Sequence, residues 1–246
     1  LREADSFFSR EDIEAYIVGG FLRDTVLKGE KELLDVDIAV PRNAIALGQR
    51  LARKMRAGFV VLDNEHGACR LVRKSQGKLF TLDLTDYRGP TLKEDLRLRD
   101  FTINTLALPL HEAVTRQKRQ WKVLDLYGGR RDLGARVIRM VSVRSFDDDP
   151  LRILRAFGFA SRFGFTIEAS TLRLIKRKVK LLETVSFERI RDELFKILDR
   201  KDAFAYLCRM DALGIIAVLF PEISPMRHMA QGPYHHLDVW KHTLET

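Results

Sequence analysis

Two aspartates, Asp35 and Asp37, stand one residue apart in a stretch, Leu34 to Val40, where acidic and apolar residues alternate. That alternation has the period of a β-strand, so both carboxylates face the same side, roughly 6.6–6.8 Å apart along the backbone. Two carboxylates held this way repel each other unless a cation lies between them, and hard oxygen ligands suit magnesium. A D-x-D pair alone is as readily two solvated surface charges. The segment ahead of it, Val18-Gly19-Gly20-Phe21-Leu22-Arg23-Asp24, adds weight. Gly19-Gly20 would close a strand and open a helix, and glycine lets the backbone approach a ligand closely. Amides at a helix start face outward, ready for a phosphate. Arg23, one turn in, would add a charge-assisted contact. An ordinary strand-turn-helix would also use glycine here. Neither G-x-x-x-x-G-K-[ST] nor G-x-G-x-x-G occurs, which excludes a P-loop and a Rossmann fingerprint.

The elements that must position these residues follow from hydrophobic periodicity. Residues 10–16 read as helix, Tyr16 to Val18 as a short strand and Phe21 to Leu27 as helix. Leu34 to Val40 reads as strand, Asn43 to Met55 as helix, and Phe59 to Leu62, Cys69 to Val72 and Leu79 to Leu84 as strands. Asp63 to Gly67 has turn chemistry. Past residue 140 strand signals nearly vanish. Pro150 to Phe163, Ser170 to Leu182, Ser186 to Leu198 and Asp202 to Leu213 have helical spacing, with Pro150 suited to a first turn. A mixed α/β head is therefore expected to give way, near residues 133–145, to an all-helical remainder.

Composition bounds the function. The chain has 246 residues, 46% hydrophobic and 31% charged, an ordinary globular balance. No apolar run approaches the roughly 18 residues of a membrane span, and the start has no signal-peptide pattern. The chain opens without Met and stops inside an apparent helix, the look of a fragment. Two cysteines, Cys69 and Cys208, make no disulfide framework and agree with a reducing cytoplasm. Lys and Arg number 43 against 34 acidic residues, a formal charge of +9, which favours a polyanion such as RNA as partner.

The glycine segment with Asp35-Val36-Asp37 resembles the first motif of the class II template-independent nucleotidyltransferases. This family includes tRNA CCA-adding enzymes and bacterial poly(A) polymerases. Further matches follow in the family's order. Glu94 to Asn104 (EDLRLRDFTIN) resembles the second motif, and Asp125-Leu126-Tyr127-Gly128-Gly129 with Asp132-Leu133 the segment closing the head. Asp148-Asp149-Pro150 to Phe157 resembles the nucleotide-recognition helix, and Ser186 to Ile190 with Glu193-Leu194 the next neck helix. The resemblance covers about residues 16–225.

It implies an α+β fold. A small mixed-sheet, polymerase-beta-like nucleotidyltransferase head (1–139) would be followed by a helical neck reading the nucleotide (140–200). A truncated helical body (201–246) would come last and grip tRNA. It implies that a tRNA 3′ hydroxyl attacks the α-phosphate of CTP or ATP, releasing pyrophosphate, with Asp35 and Asp37 holding two Mg2+ ions. Such sites carry a third carboxylate on a neighbouring strand; Asp83 is the candidate, Asp86 the runner-up. Gly19, Gly20, Arg23, Arg99, Asp100 and Asn104 would contact the nucleotide. Asn104 would equally serve as a turn cap, and Phe101 and Ile103 read as core.

Asp149 and Arg152, three apart, would share a helix face. A carboxylate accepts and a guanidinium donates, which matches the amine and ring nitrogen of cytosine and adenine and opposes uracil and guanine. A surface salt bridge is the plainer reading. Arg155 suits the triphosphate, and Lys176, Arg177, Lys178 and Lys180 suit the RNA backbone, or a solvated helix face.

Two departures stand out. Gly158 occupies a place where the family has arginine. Gly89 to Lys93 replaces a longer loop, which in the family goes with addition of C and C without the final A. His235, Asp238 and His242 share spacings of three and four, resembling the opening of an HD phosphohydrolase domain. The competing readings are a bacterial poly(A) polymerase, disfavoured by the acidic Val60 to His66 segment, and a non-catalytic RNA-binding protein.

Overall fold

The computed structural model describes residues 1–28, 35–75, 77–227, 229 and 238–245. The chain divides into two compact units, Leu1–Ala135 and Arg136–Thr246.

The first unit is built on one sheet. Its elements run α1 (Arg2–Arg10), β1 (Tyr16–Val18), α2 (Gly20–Lys28), β2 (Asp35–Val40), α3 (Ala44–Met55), β3 (Gly58–Asp63), β4 (Ala68–Ser75) and β5 (Lys78–Asp86). They continue as α4 (Leu92–Arg97), β6 (Leu106–Pro109), α5 (Leu110–Thr115), β7 (Leu124–Asp125) and α6 (Gly129–Ala135). The seven strands lie in the order β3-β4-β5-β2-β1-β6-β7. The β2–β5 pair is parallel and the other pairs are antiparallel, a mixed sheet.

The two faces differ as the pleat requires. On β2, Val36, Ile38 and Val40 are buried, while Asp37 is half-buried and Asp35 exposed. α3 buries Ala44, Leu47, Leu51, Ala52 and Met55 at spacings of three and four, an apolar stripe laid on one face. Gly48 lets α3 come that close, since a Cβ there would stand 2.4 Å from Cys69 Sγ. The opposite face carries the carboxylates. Beside them Val18, Ala39, Leu96 and Ala107 form a small core under α4, and Thr91 caps α4 by accepting from the Glu94 amide.

The second unit contains β8 (Val137–Ile138), α7 (Ser145–Asp148), α8 (Arg152–Phe163), β9 (Thr166–Ile167), α9 (Ala169–Lys178), α10 (Phe187–Leu198), α11 (Ala203–Ala212), α12 (Ile215–Leu219) and α13 (Val239–Glu245). Ile153, Leu154, Ala156, Phe157 and Ala160 of α8 supply much of its core.

The structure corrects several expectations. The first helix is Arg2–Arg10, with Phe7 and Phe8 buried, rather than 10–16. Past it Asp12 turns the chain at φ 53°. The remainder is not purely helical, because β8 and β9 form a two-residue parallel pair. Ser170 to Leu182 is not one helix but α9 followed by a 3-10 turn over Val179–Thr184. The link expected at Gly89 to Lys93 is shorter still, since α4 begins at Leu92. Leu34 lies outside the described residues. Among those described, no helix is long and apolar enough to cross a membrane.

Candidate active site

Strand register brings the acidic residues together. Asp37 on β2 is the lateral partner of Asp83 on β5, and Asp35 is the partner of Thr81. Lateral partners face the same side of a sheet. Thr81 Oγ1 donates to Asp35 Oδ1 at 2.5 Å. Asp83 in turn pairs with Arg70 on β4, whose Nε and Nη2 each donate to a different carboxylate oxygen at 2.7 Å. The runner-up, Asp86, is occupied otherwise: its Oδ1 accepts from the Ala44 amide at 2.7 Å and so starts α3.

The glycine turn lies against this group. Gly19 has φ +71°, a conformation L side chains rarely adopt. A Cβ on it would stand 3.2 Å from Asp37 Oδ2 and 3.5 Å from Arg99 Nη1. The backbone therefore passes close to both a carboxylate and a guanidinium. Arg99 is held there by Asp95, a buried residue of α4 that accepts from its Nε and Nη2 at 3.2 and 3.0 Å. Burial pushes the Asp37 carboxyl above its ordinary 3.8. The charge of Asp83 raises it further, Arg99 pulls it down, and Asp35 adds a smaller upward push.

Other expected contact residues point inward. Arg23 is only 5% exposed. It donates through Nε to Asp24 Oδ1 at 2.8 Å and through Nη1 to Asn104 Oδ1 at 2.7 Å. Asn104 Nδ2 donates to Asp100 Oδ1 at 2.9 Å, and that same oxygen accepts from the Phe101 amide. The phosphate contact expected of Arg23 thus meets a guanidinium already embedded in a buried relay, Asp24–Arg23–Asn104–Asp100. The relay fixes α2 to the segment after α4. The Asp125 segment also has a structural task. Asp125 accepts from the Gly129 and Arg130 amides, and Asp132 accepts from Thr102 Oγ1 at 2.7 Å.

In the second unit the helix-face expectation for Asp149 and Arg152 does not hold. Asp149 is extended at φ −154° and ends α7, and α8 starts only at Arg152. Both Asp149 oxygens accept from Arg189 Nη2 at 3.2 Å, a partner on α10 that sequence spacing could not reveal. Arg152 is 5% exposed and its Nη1 donates to Ser145 Oγ at 3.1 Å. Arg155 lies over the Phe159 ring, 5.3 Å from its centroid, and 3.8 Å from Glu193. A Cβ at Gly158 would meet Glu193 Oε2 at 3.5 Å, an ordinary contact. Lys176, Arg177 and Lys180 are exposed, while Lys178 pairs with Asp147 at 2.7 Å.

The sequence passed over Arg70 and Arg189. Only strand register exposes the first, and only tertiary packing the second. His235 lies outside the described residues. Asp238 and His242 lie within them, joined by a backbone hydrogen bond at the start of α13.

A divalent cation fits the head. Asp35 and Asp37 share one face and Asp83 stands beside them, and the Asp37 carboxyl is raised first by burial and then by the charge of Asp83. Among the described residues no group of three or more His, Cys, Asp and Glu side chains is arranged to hold a metal ion as it stands. Asp83 instead turns both oxygens to Arg70.

Residues 15–139, just over half of the chain, match the family model described as the poly A polymerase head domain. Residues 164–227 match one described as a probable RNA and SrmB-binding site of polymerase A. The chain is 40% identical over 206 residues to the CC-adding tRNA nucleotidyltransferase of Geobacter sulfurreducens, covering 84% of this chain and 45% of that protein. It is 35% identical over 237 residues to the A-adding tRNA nucleotidyltransferase of Deinococcus radiodurans, covering 94% and 50%. Among solved structures, the Thermotoga maritima CCA-adding enzyme complexed with tRNA is similar with a TM-score of 0.77 and 36% identity, over 94% of this chain and 53% of that one. The chain spans about half the length of these two relatives.

Proposed function

The chain belongs to the poly A polymerase head-domain family, and on that premise we propose that it is a tRNA nucleotidyltransferase that extends the tRNA 3′ end from CTP without a nucleic acid template. The observation that carries this reading is the register of Asp37 with Asp83, with Asp35 on the same strand face and Gly19 against Asp37. The 40% identical relative is named a CC-adding enzyme, and the poly(A) polymerase alternative has no comparable support among the relatives described.

In this reading Asp35 and Asp37 hold Mg2+, which when bound supplies activation of the attacking 3′ hydroxyl and shielding of the departing pyrophosphate. The open backbone at Gly19-Gly20 admits the triphosphate, and Arg99, fixed by Asp95, offsets its charge. The buried relay through Arg23, Asn104 and Asp100 keeps the turn in place, a preorganising task. Asp149, oriented by Arg189, accepts from the cytosine amine and opposes the uracil carbonyl, while Arg152 donates to the ring nitrogen. Lys176, Arg177, Lys178 and Lys180 meet the RNA backbone. Residues 140–200 act as the neck and 201–246 as the start of the body. The enzyme works in the cytoplasm. The short link ending at Thr91 leaves little chain to act as a lever for a purine, so C and C are added and A poorly.

The test is single-nucleotide extension of two tRNAs, one lacking CCA and one ending in CC. Addition of two C residues to the first and slow or absent addition of A to the second is expected. Rapid A addition would overturn the CC-only part. A long A tail on either would overturn the tRNA reading in favour of a poly(A) polymerase.

A further inference from the structure

Arg70 lies one strand outside the carboxylates proposed above and belongs to none of the motifs that carry the resemblance. On the face shared by Asp37 and Asp83, lateral register runs Arg70–Asp83–Asp37 across β4, β5 and β2. The guanidinium fork grips both oxygens of Asp83 at 2.7 Å. A bidentate grip of this kind uses the planar geometry only arginine has. The two partners are unequally covered, with side-chain exposure of 42% for Arg70 and 14% for Asp83. The carboxylate is therefore fixed in the sheet, while the guanidinium has water on its outer side.

A carboxylate whose two oxygens each accept from one arginine has given one lone pair on each oxygen to the guanidinium, so a cation must compete for them or settle for the outer pair. Asp83 faces Asp37 laterally, so a cation at Asp37 is within reach of the same carboxylate once the fork loosens. Solvent on one side of the pair keeps it weak enough to exchange. We propose that Arg70 is a positioning residue that parks Asp83 in the ion-free head and yields it to a divalent cation, so that guanidinium and ion compete for one carboxylate. This rests on the reading that Asp35 and Asp37 hold such an ion.

The competition is read without activity, by titrating Mn2+ into the full chain and following free Mn2+ by electron paramagnetic resonance, with no nucleotide present. Arg70→Gln should bind Mn2+ about three- to ten-fold more tightly than wild type, the scale set by releasing one partly exposed ion pair. Arg70→Lys keeps the charge but loses the fork, and should also tighten binding, by less. In an Asp83→Asn background the same Arg70 substitutions should change affinity less than about two-fold. Equal effects in both backgrounds would mean that Arg70 acts through its charge alone and would overturn the inference. So would weaker binding in Arg70→Lys. Mn2+ binding that survives Asp37→Asn unchanged would instead overturn the metal reading beneath it, and this inference with it.

Discussion

In the proposed reading Asp37 carries opposite demands from catalysis and from folding. Its carboxyl is raised by burial first and then by the charges of Asp83 and Asp35. An acid whose folded pKa exceeds its unfolded value gives a contribution that is fully present below the unfolded pKa, near 3.9. That contribution is lost as pH rises through the folded value. At about pH 7.5 the ionised Asp37 therefore works against the fold. Asp37→Asn should melt at a higher temperature than wild type at that pH in chelator, with the difference vanishing in acid where both side chains are neutral. A variant that melts lower at pH 7.5 would show that the carboxylate is satisfied by the protein alone. Asp149 makes a second residue-scale prediction. Asp149→Ala should lower the preference for CTP over UTP by about 10- to 100-fold, more than it slows CTP transfer at saturation. An unchanged ratio would return Asp149 to a plain ion pair with Arg189.

At the scale of elements, the Asp125 segment shows why two motifs far apart in sequence go together. Gly129 opens α6 where a Cβ would stand 2.3 Å from the Thr102 carbonyl oxygen, a backbone atom with little freedom to move. Gly129→Ala should cost about 2–3 kcal/mol in urea unfolding, in line with overpacking of a close contact. A cost near zero would mean that the 102–104 turn is free to shift. The elements that build the site were largely legible: β1, α2, α3, β3, β4 and β5 follow from alternation and helical spacing. Asp35, Asp37 and Asp83 were legible as candidates, but their adjacency depends on a parallel β2–β5 pairing that no local pattern encodes. The helix read at 10–16 failed because charged residues at Arg10, Glu11 and Asp12 continue a helical pattern past a backbone turn. β7 has two residues, too few for a period of two to appear. The face-sharing of Asp149 and Arg152 failed because Pro150 sits ahead of the helix, and the residue before proline is driven to extended backbone.

For the whole molecule, the proposed reading assigns the formal charge of +9 and the exposed Lys176, Arg177 and Lys180 to RNA affinity rather than to chemistry. Replacing these three by Ala should weaken tRNA binding and reduce its log–log salt slope by about one for each phosphate no longer neutralised, leaving the KM for CTP unchanged. An unaltered slope would mark them as a solvated helix face. In the proposed reading the carboxylates lie in one unit and Asp149 in the other, so chemistry and base choice should respond to separate substitutions. Asp35 and Asp37 are proposed to drive transfer of CMP to a tRNA end. The most direct measurement is incorporation of labelled CTP into tRNA lacking CCA, with Mg2+, by wild type, Asp35→Ala and Asp37→Ala. Two C residues should be added by wild type, and each folded variant should be at least about 100-fold slower, as expected on losing a group that stabilises transition-state charge. Near-normal incorporation by either variant, or none by wild type, would contradict the account.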